Sequence, residues 1–135
     1  MTEFALILVD TNVLLDVAEQ DECWAEWSQE QMNRYVGRMI VNPIIYAELC
    51  YQADNAEEVD AILAVLGVGL KELSRQALFR ASRTFKLYRQ RGGSKSAPLP
   101  DFFIGAHAAD LGVPILTRDE SRYQTYFPEV RLISP

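Results

Sequence analysis

The chain is poor in the residues that would announce a metal-thiolate, haem or nucleophilic centre. It has one histidine, His107, and two cysteines, Cys23 and Cys50, far apart and outside any metal-ligand spacing. A zinc site and a disulfide framework are therefore excluded, and both cysteines are expected to be reduced and mostly buried. No run approaches the roughly 18 apolar residues of a membrane span. The opening "MTEFALILVDTN" lacks a basic leader and is interrupted by Asp10, so the expected compartment is the cytoplasm. Acid is absent between Leu73 and Pro100, where Arg75, Arg80, Arg83, Lys86, Arg89, Arg91 and Lys95 concentrate.

What is present suits one compact domain over residues 1–135. The 135 residues are 49% hydrophobic and 24% charged, enough for a core and too apolar for disorder. The net charge of −6 argues against a polyanionic partner only if charge is evenly spread. Screening limits electrostatic reach to about 8–10 Å, so a local basic stretch decides more than the sum.

Short aliphatic runs alternate with helical patterns. Ala5–Val9, Met39–Val41 and Val113–Leu116 read as buried strands, with a short extended piece near Val68–Leu73 and a last strand at Val130–Ile133. Between them lie helices at about Val13–Ala18, capped by Thr11 or Asn12, and Glu22–Tyr35, whose stripe includes Trp24, Trp27 and Tyr35. Further helices follow Asn42-Pro43 and Asn55. A long one runs from Ser74 to about Gln90 with Leu78, Ala81, Phe85 and Tyr88 on its apolar side, and another covers Asp101–Leu111. This order predicts an α/β fold, a three-layer α/β/α arrangement around a mainly parallel sheet of four to five strands. Such sheets place their sites beyond the carboxyl ends of the strands.

Four acids stand out against that frame. Asp10 ends the first strand in "ILVDTN". Glu48 lies inside the apolar helix "IIYAEL". Asp101 opens a helix after two prolines, and Asp119 follows the buried "VPILTRD". Taken singly, each has a plain structural reading: Asp10, Asp101 and Asp119 as helix caps, Glu48 as the polar edge of its helix. Taken together, Asp10 and Asp119 fall on one sheet edge if the strands are parallel. Two like charges about 4 Å apart repel by roughly 4 kcal/mol at an effective dielectric of ~20, so four gathered acids require protonation or a cation. All-oxygen ligands without histidine or cysteine select Mg²⁺ or Mn²⁺, ions that bind phosphate and activate water.

At these residues the chain resembles the PIN domain, in particular the VapC-type ribonuclease toxins. "ILVDTNVLLD", "VNPIIYAELCY", "LPDFFIGAHAADLGVPILTRD" and "VRLISP" carry the likeness over essentially the whole length. The resemblance implies that Asp10, Glu48, Asp101 and Asp119 bind one or two Mg²⁺ or Mn²⁺ ions and cleave RNA hydrolytically. It implies that Asn12 orders the acidic pocket and that Thr117 supplies a hydroxyl at its rim; Thr11 is either a pocket residue or a helix cap. A small antitoxin partner and a homodimer follow from the same likeness.

Arg80, Arg83, Lys86, Lys95 and Arg118 are candidates for RNA phosphate contact, with a solvated helix face as the competing reading for the long basic helix. His107, six residues beyond Asp101, is turned away from it and reads as structural or surface. Asp16 and Asp110 read as solvated helix positions. Two alternatives to a nuclease remain: a phospho-acceptor receiver domain, disfavoured because no lysine follows Thr117, and a PIN domain used only to bind RNA.

Overall fold

The computed structural model describes residues 5–93 and 99–135. Among them five strands form one sheet: β1 (Ile7–Val9), β2 (Met39–Val41), β3 (Gly69–Leu70), β4 (Ile115–Leu116) and β5 (Leu132–Ile133). Every pairing is parallel and the order is β3-β2-β1-β4-β5. The central strand β1 is wholly buried, as its unbroken aliphatic sequence requires of a strand covered on both faces. Leu8 pairs with Ile40 on one side and Ile115 on the other, and Val9 pairs with Leu116.

Seven helices accompany these strands among the described residues: α1 (Thr11–Ala18), α2 (Ala25–Arg34), α3 (Pro43–Cys50), α4 (Ala56–Leu66), α5 (Arg75–Gln90), α6 (Leu99–Leu111) and α7 (Ser121–Gln124). Right-handed crossovers put α1–α4 on one face, because β1, β2 and β3 step in one direction. The chain then steps back across β1, so α5–α7 cover the other face. This is the expected three-layer α/β/α arrangement. The direction reverses between β1 and β4, and the loops leaving those neighbouring strands part there, opening a crevice at the carboxyl edge.

Local signals explain most boundaries. The Asn42 side chain accepts from Ile45 N and Pro43 opens α3; Asn55 and Ser74 cap α4 and α5 in the same way. Gly67 ends α4 at φ +70°, a conformation that costs glycine nothing. The cap of α1 differs from the expected Thr11 or Asn12. Asp10 itself occupies that position, its Oδ1 accepting from Thr11 N at 2.8 Å, so α1 begins directly at the end of β1.

Helices α5 and α6 pack closely, with Ala77 and Ala81 fully buried. Small residues allow this approach. Leu78, expected on the apolar side, is instead 42% exposed. An aromatic cluster closes the layer: Phe102 of α6 lies 5.3 Å from Phe85, 5.4 Å from Tyr88 and 5.6 Å from Tyr126, ring centre to ring centre.

Three surface expectations are corrected. Cys23 is exposed, because it precedes α2 in a turn; both cysteines are free. Trp24 also precedes α2 rather than joining its stripe, and stands edge-on to Trp27. Asp16 is not solvated. It is 3% exposed, accepts a hydrogen bond from Ser28 Oγ and is held by two nitrogens of Arg118.

Candidate active site at the carboxyl edge of the sheet

Asp10 and Asp119 leave adjacent parallel strands, and the crevice between those strands is where the acids gather. Asp10 is fully buried. Its Oδ1 takes the Thr11 amide; its Oδ2 takes the Thr117 hydroxyl at 2.9 Å and the Tyr123 hydroxyl at 2.8 Å. A buried carboxylate is tolerated when its oxygens are supplied with donors in this way. Thr117 is fully buried rather than at the rim. It also accepts from Asn12 Nδ2 at 3.3 Å and from Asp119 N at 3.1 Å. Asn12 Oδ1 accepts from Arg118 N. Asn12 and Thr117 thus tie the loop after β4 to the start of α1 and set the positions of Asp10 and Asp119 together.

Asp101 reaches the same place from α6, where it occupies the first turn and is 6% exposed. Burial pushes its carboxyl up to about 7; Arg122 opposes the shift, and the fields of Asp10, Glu48 and Asp119 add to it. All three other acids therefore act on Asp101. Glu48 comes from α3 and accepts from Thr11 Oγ1 at 2.5 Å, which gives Thr11 a place at the pocket although it does not cap α1. Asp119 is half-buried, its side chain 45% exposed, and it accepts from Ser121 Oγ.

Among these acids lies a cation that sequence reasoning missed. Arg122 Nε is 3.2 Å from Asp119 Oδ2, and its Nη1 is 3.6 Å from Asp101 Oδ1 and 3.8 Å from Asp10 Oδ2. Burial works against its charge, but Asp101 and Asp10 raise its pKa above the usual value. Tyr123, fully buried beside it, is held far above its ordinary range by burial and by Asp10, and so remains a donor. The available signal was the spacing: Arg122 lies three residues beyond Asp119, one helical turn away. Among the described residues no three acidic, histidine or cysteine side chains are drawn together as a formed cation cage; the acids are arranged around the guanidinium.

A groove of about 630 Å³ opens beside the acids, lined by Thr11, Asn12, Leu15, Ile44, Ala47, Glu48, Tyr51, Gln52, Pro100 and Arg122. It is wide enough for a nucleotide-sized ligand. Tyr51 on its wall is 88% exposed.

The basic candidates fare unevenly. Arg80 pairs with Glu129 at 2.5 Å and lies over the Phe127 ring, and Arg83 lies over Phe79. Arg118 is engaged with Asp16 and lies over Trp24. None of these three lines the groove, whereas Arg122 does. Lys86 is exposed on α5; Lys95 lies outside the described residues. His107 is fully buried and joined to Asn42, away from the acids, as expected. Asp110 is exposed and accepts from Ser74. Among the described residues no helix is long and apolar enough to cross a membrane.

Solved structures share this fold at low sequence identity. DNA-bound VapBC from Salmonella typhimurium aligns with a TM-score of 0.72 at 18% identity, covering 97% of this chain and 98% of that one. VapBC-1 from nontypeable Haemophilus influenzae aligns at 0.71 and 18%, covering 96% and 97%. FitAcB from Neisseria gonorrhoeae aligns at 0.67 and 19%, covering 96% and 98%. No curated protein matches by sequence. The PIN domain model matches residues 7–128, from the first residue of β1 to beyond the acidic pocket, and the chain belongs to the PIN domain family.

Proposed function

We propose that this chain is a single PIN nuclease domain, residues 1–135, that cleaves RNA endonucleolytically with Mg²⁺ or Mn²⁺ and acts in the cytoplasm as the toxin of a toxin–antitoxin pair. One observation carries the reading: Asp10, Asp101 and Asp119, from three separate segments, all lie within 4 Å of one guanidinium at the strand-order reversal. Glu48 lines the groove beside them. Membership of the PIN family removes the phospho-acceptor receiver reading. Solved structures of the same fold are toxin–antitoxin complexes, which supports a small antitoxin as partner. A homodimer is the expected assembly.

The donor set fits a hard divalent ion. It consists of carboxylate oxygens, those of Asp10 and Asp101 on buried residues, and a divalent ion would offset both the burial of Asp101 and the fields of its acidic neighbours. Asp10, Asp101 and Asp119 would hold it, with Glu48 as a further ligand or as the acid that orients water. When bound, the ion supplies phosphate charge neutralisation and a nucleophilic water at neutral pH. This chain's own residues do the rest. The donors on Asp10 lock its orientation. The hydroxyl that Thr11 donates to Glu48 fixes the orientation of that carboxylate at the groove. The water oxygen attacks phosphorus as its proton passes to solvent, the bond to the 3′ oxygen breaks, and that oxygen takes up a proton from solvent water. The products carry a 5′-phosphate and a 3′-hydroxyl.

The test is incubation of purified protein, freed of any co-purifying peptide, with total RNA and Mg²⁺, followed by mapping of the cut ends. Asp10→Asn and Asp101→Asn should each reduce cleavage at least ~100-fold while the protein still melts cooperatively. Undiminished cleavage in both variants, or in excess EDTA, would overturn the assignment. Retained RNA binding with no cleavage by the wild type would favour a binding-only PIN domain.

A further inference from the structure

Arg122 is the groove-lining residue that the nuclease reading leaves without a task. Its setting is unusual for a structural ion pair. Asp10 and Asp101 are buried, but the Arg122 side chain is 38% exposed and belongs to the four-residue helix α7 at the pocket mouth. Only the Asp119 contact, at 3.2 Å, is within hydrogen-bond range; those to Asp101 and Asp10, at 3.6 and 3.8 Å, are ion pairs without a direct hydrogen bond. The guanidinium therefore offsets the charge of the two buried acids without being fastened to them. Asp10 has its own fixed donors in Thr11, Thr117 and Tyr123, so its position does not depend on Arg122.

We propose that Arg122 is an exchangeable internal counter-cation: it occupies the acidic pocket in competition with the divalent ion, yields those carboxylates to it, and then serves the adjoining groove as a phosphate contact. A divalent ion held by these acids would draw on the oxygens that now face the guanidinium, Asp119 Oδ2, Asp101 Oδ1 and Asp10 Oδ2. An interaction that must break before binding lowers the apparent affinity for the incoming ion. A guanidinium released at the groove mouth is suited to bidentate phosphate recognition. The inference rests on the metal-nuclease reading and assigns this side chain a role in when the site loads.

Three measurements test it. Calorimetric titration with Mn²⁺ should give an affinity about tenfold tighter for Arg122→Met than for the wild type, and none for Asp10→Asn. In the unmodified protein, the Arg122 Nε–H resonance, assigned by its loss in Arg122→Lys, should shift along a Mg²⁺ titration in step with saturation. Binding of a cleavage-resistant phosphorothioate RNA in Mg²⁺, with the acidic pocket intact, should show about one unit less salt slope for Arg122→Met than for the wild type. If the wild type binds Mn²⁺ and Asp10→Asn does not, yet Arg122→Met leaves affinity within twofold or the Nε–H signal stays fixed, the exchange proposal fails and the nuclease reading stands. If wild type and Arg122→Met both fail to bind Mn²⁺, both ideas fall. The resonance measurement needs only the unmodified pocket, so it decides the matter should Arg122→Met not fold.

Discussion

The Tyr123 hydroxyl donates to Asp10 Oδ2 at 2.8 Å, joining residues 113 positions apart. Both are fully buried. Tyr123→Phe keeps the ring and removes this donor from a buried carboxyl group. The expected cost is about 2 kcal/mol, read as a fall of roughly 4–8 °C in Tm. A Tm within 1 °C of wild type would show that the bond contributes nothing.

Arg118 presents a second long-range dependence. Its Nε and an Nη hold Asp16, which is 3% exposed, across 102 residues. Removing one partner of such a pair leaves an uncompensated buried charge and costs about 3–5 kcal/mol. Arg118→Met is therefore expected to be strongly destabilising. Asp16→Asn combined with Arg118→Met should cost less than Arg118→Met alone, because the buried charge is gone. Urea midpoints of Arg118→Met, Asp16→Asn and the double variant settle the comparison; additive losses would refute the coupling.

His107 links stability to pH. Asn42 Oδ1 accepts from Ile45 N, which turns Asn42 Nδ2 towards His107 Nδ1 at 3.1 Å. The ring nitrogen must then accept, and protonation there would set donor against donor. Burial accordingly holds the His107 pKa below its usual value, against the opposing field of Asp110. The unfolded chain binds the proton more readily than the native one, so stability falls as pH drops below about 6.5. His107→Leu should lose less stability between pH 7.5 and pH 5 than the wild type does. Equal losses in denaturant midpoint would exclude His107 as the cause.

Gly105 sets two effects of opposite sign against each other. In the interior of α6, Gly→Ala ordinarily stabilises by about 1 kcal/mol. Here an added Cβ would meet the Phe127 ring at 2.3 Å, and Phe127 is 1% exposed and unable to retreat into solvent. Overpacking costs about 1–3 kcal/mol, so Gly105→Ala is expected to lower the Tm by several degrees. A higher Tm would mean that Phe127 has room to move. The contact matters beyond stability, since α6 carries Asp101 and the Phe127 segment follows directly after Arg122 and Tyr123.

Much of the architecture was legible from local chemistry. Aliphatic runs marked the strands, and Asn42, Asn55, Ser74 and Gly67 marked helix ends, because these signals act within a few residues of where they are written. Asp10 and Asp119 could be assigned to one edge once the strands were taken as parallel. The same kind of signal misled at Asp16. A lone acid inside an apolar helix describes both Asp16 and Glu48, yet one is neutralised by Arg118 and the other faces a groove. Which it is depends on what another element brings up against it.

The order of apolar and polar residues by itself determined the alternation of strands and helices, and with it the placing of Asp10 and Asp119 at strand ends. Both follow from backbone preference and burial, which are decided along the chain. Only the tertiary structure decided what stands between those acids. Arg122 enters the pocket because the strand order reverses beside β1, bringing the segment after β4 against the end of β1 and the start of α6. Coulomb interaction acts through space over a few ångströms, and no local pattern of residues records which charges the fold will bring that close.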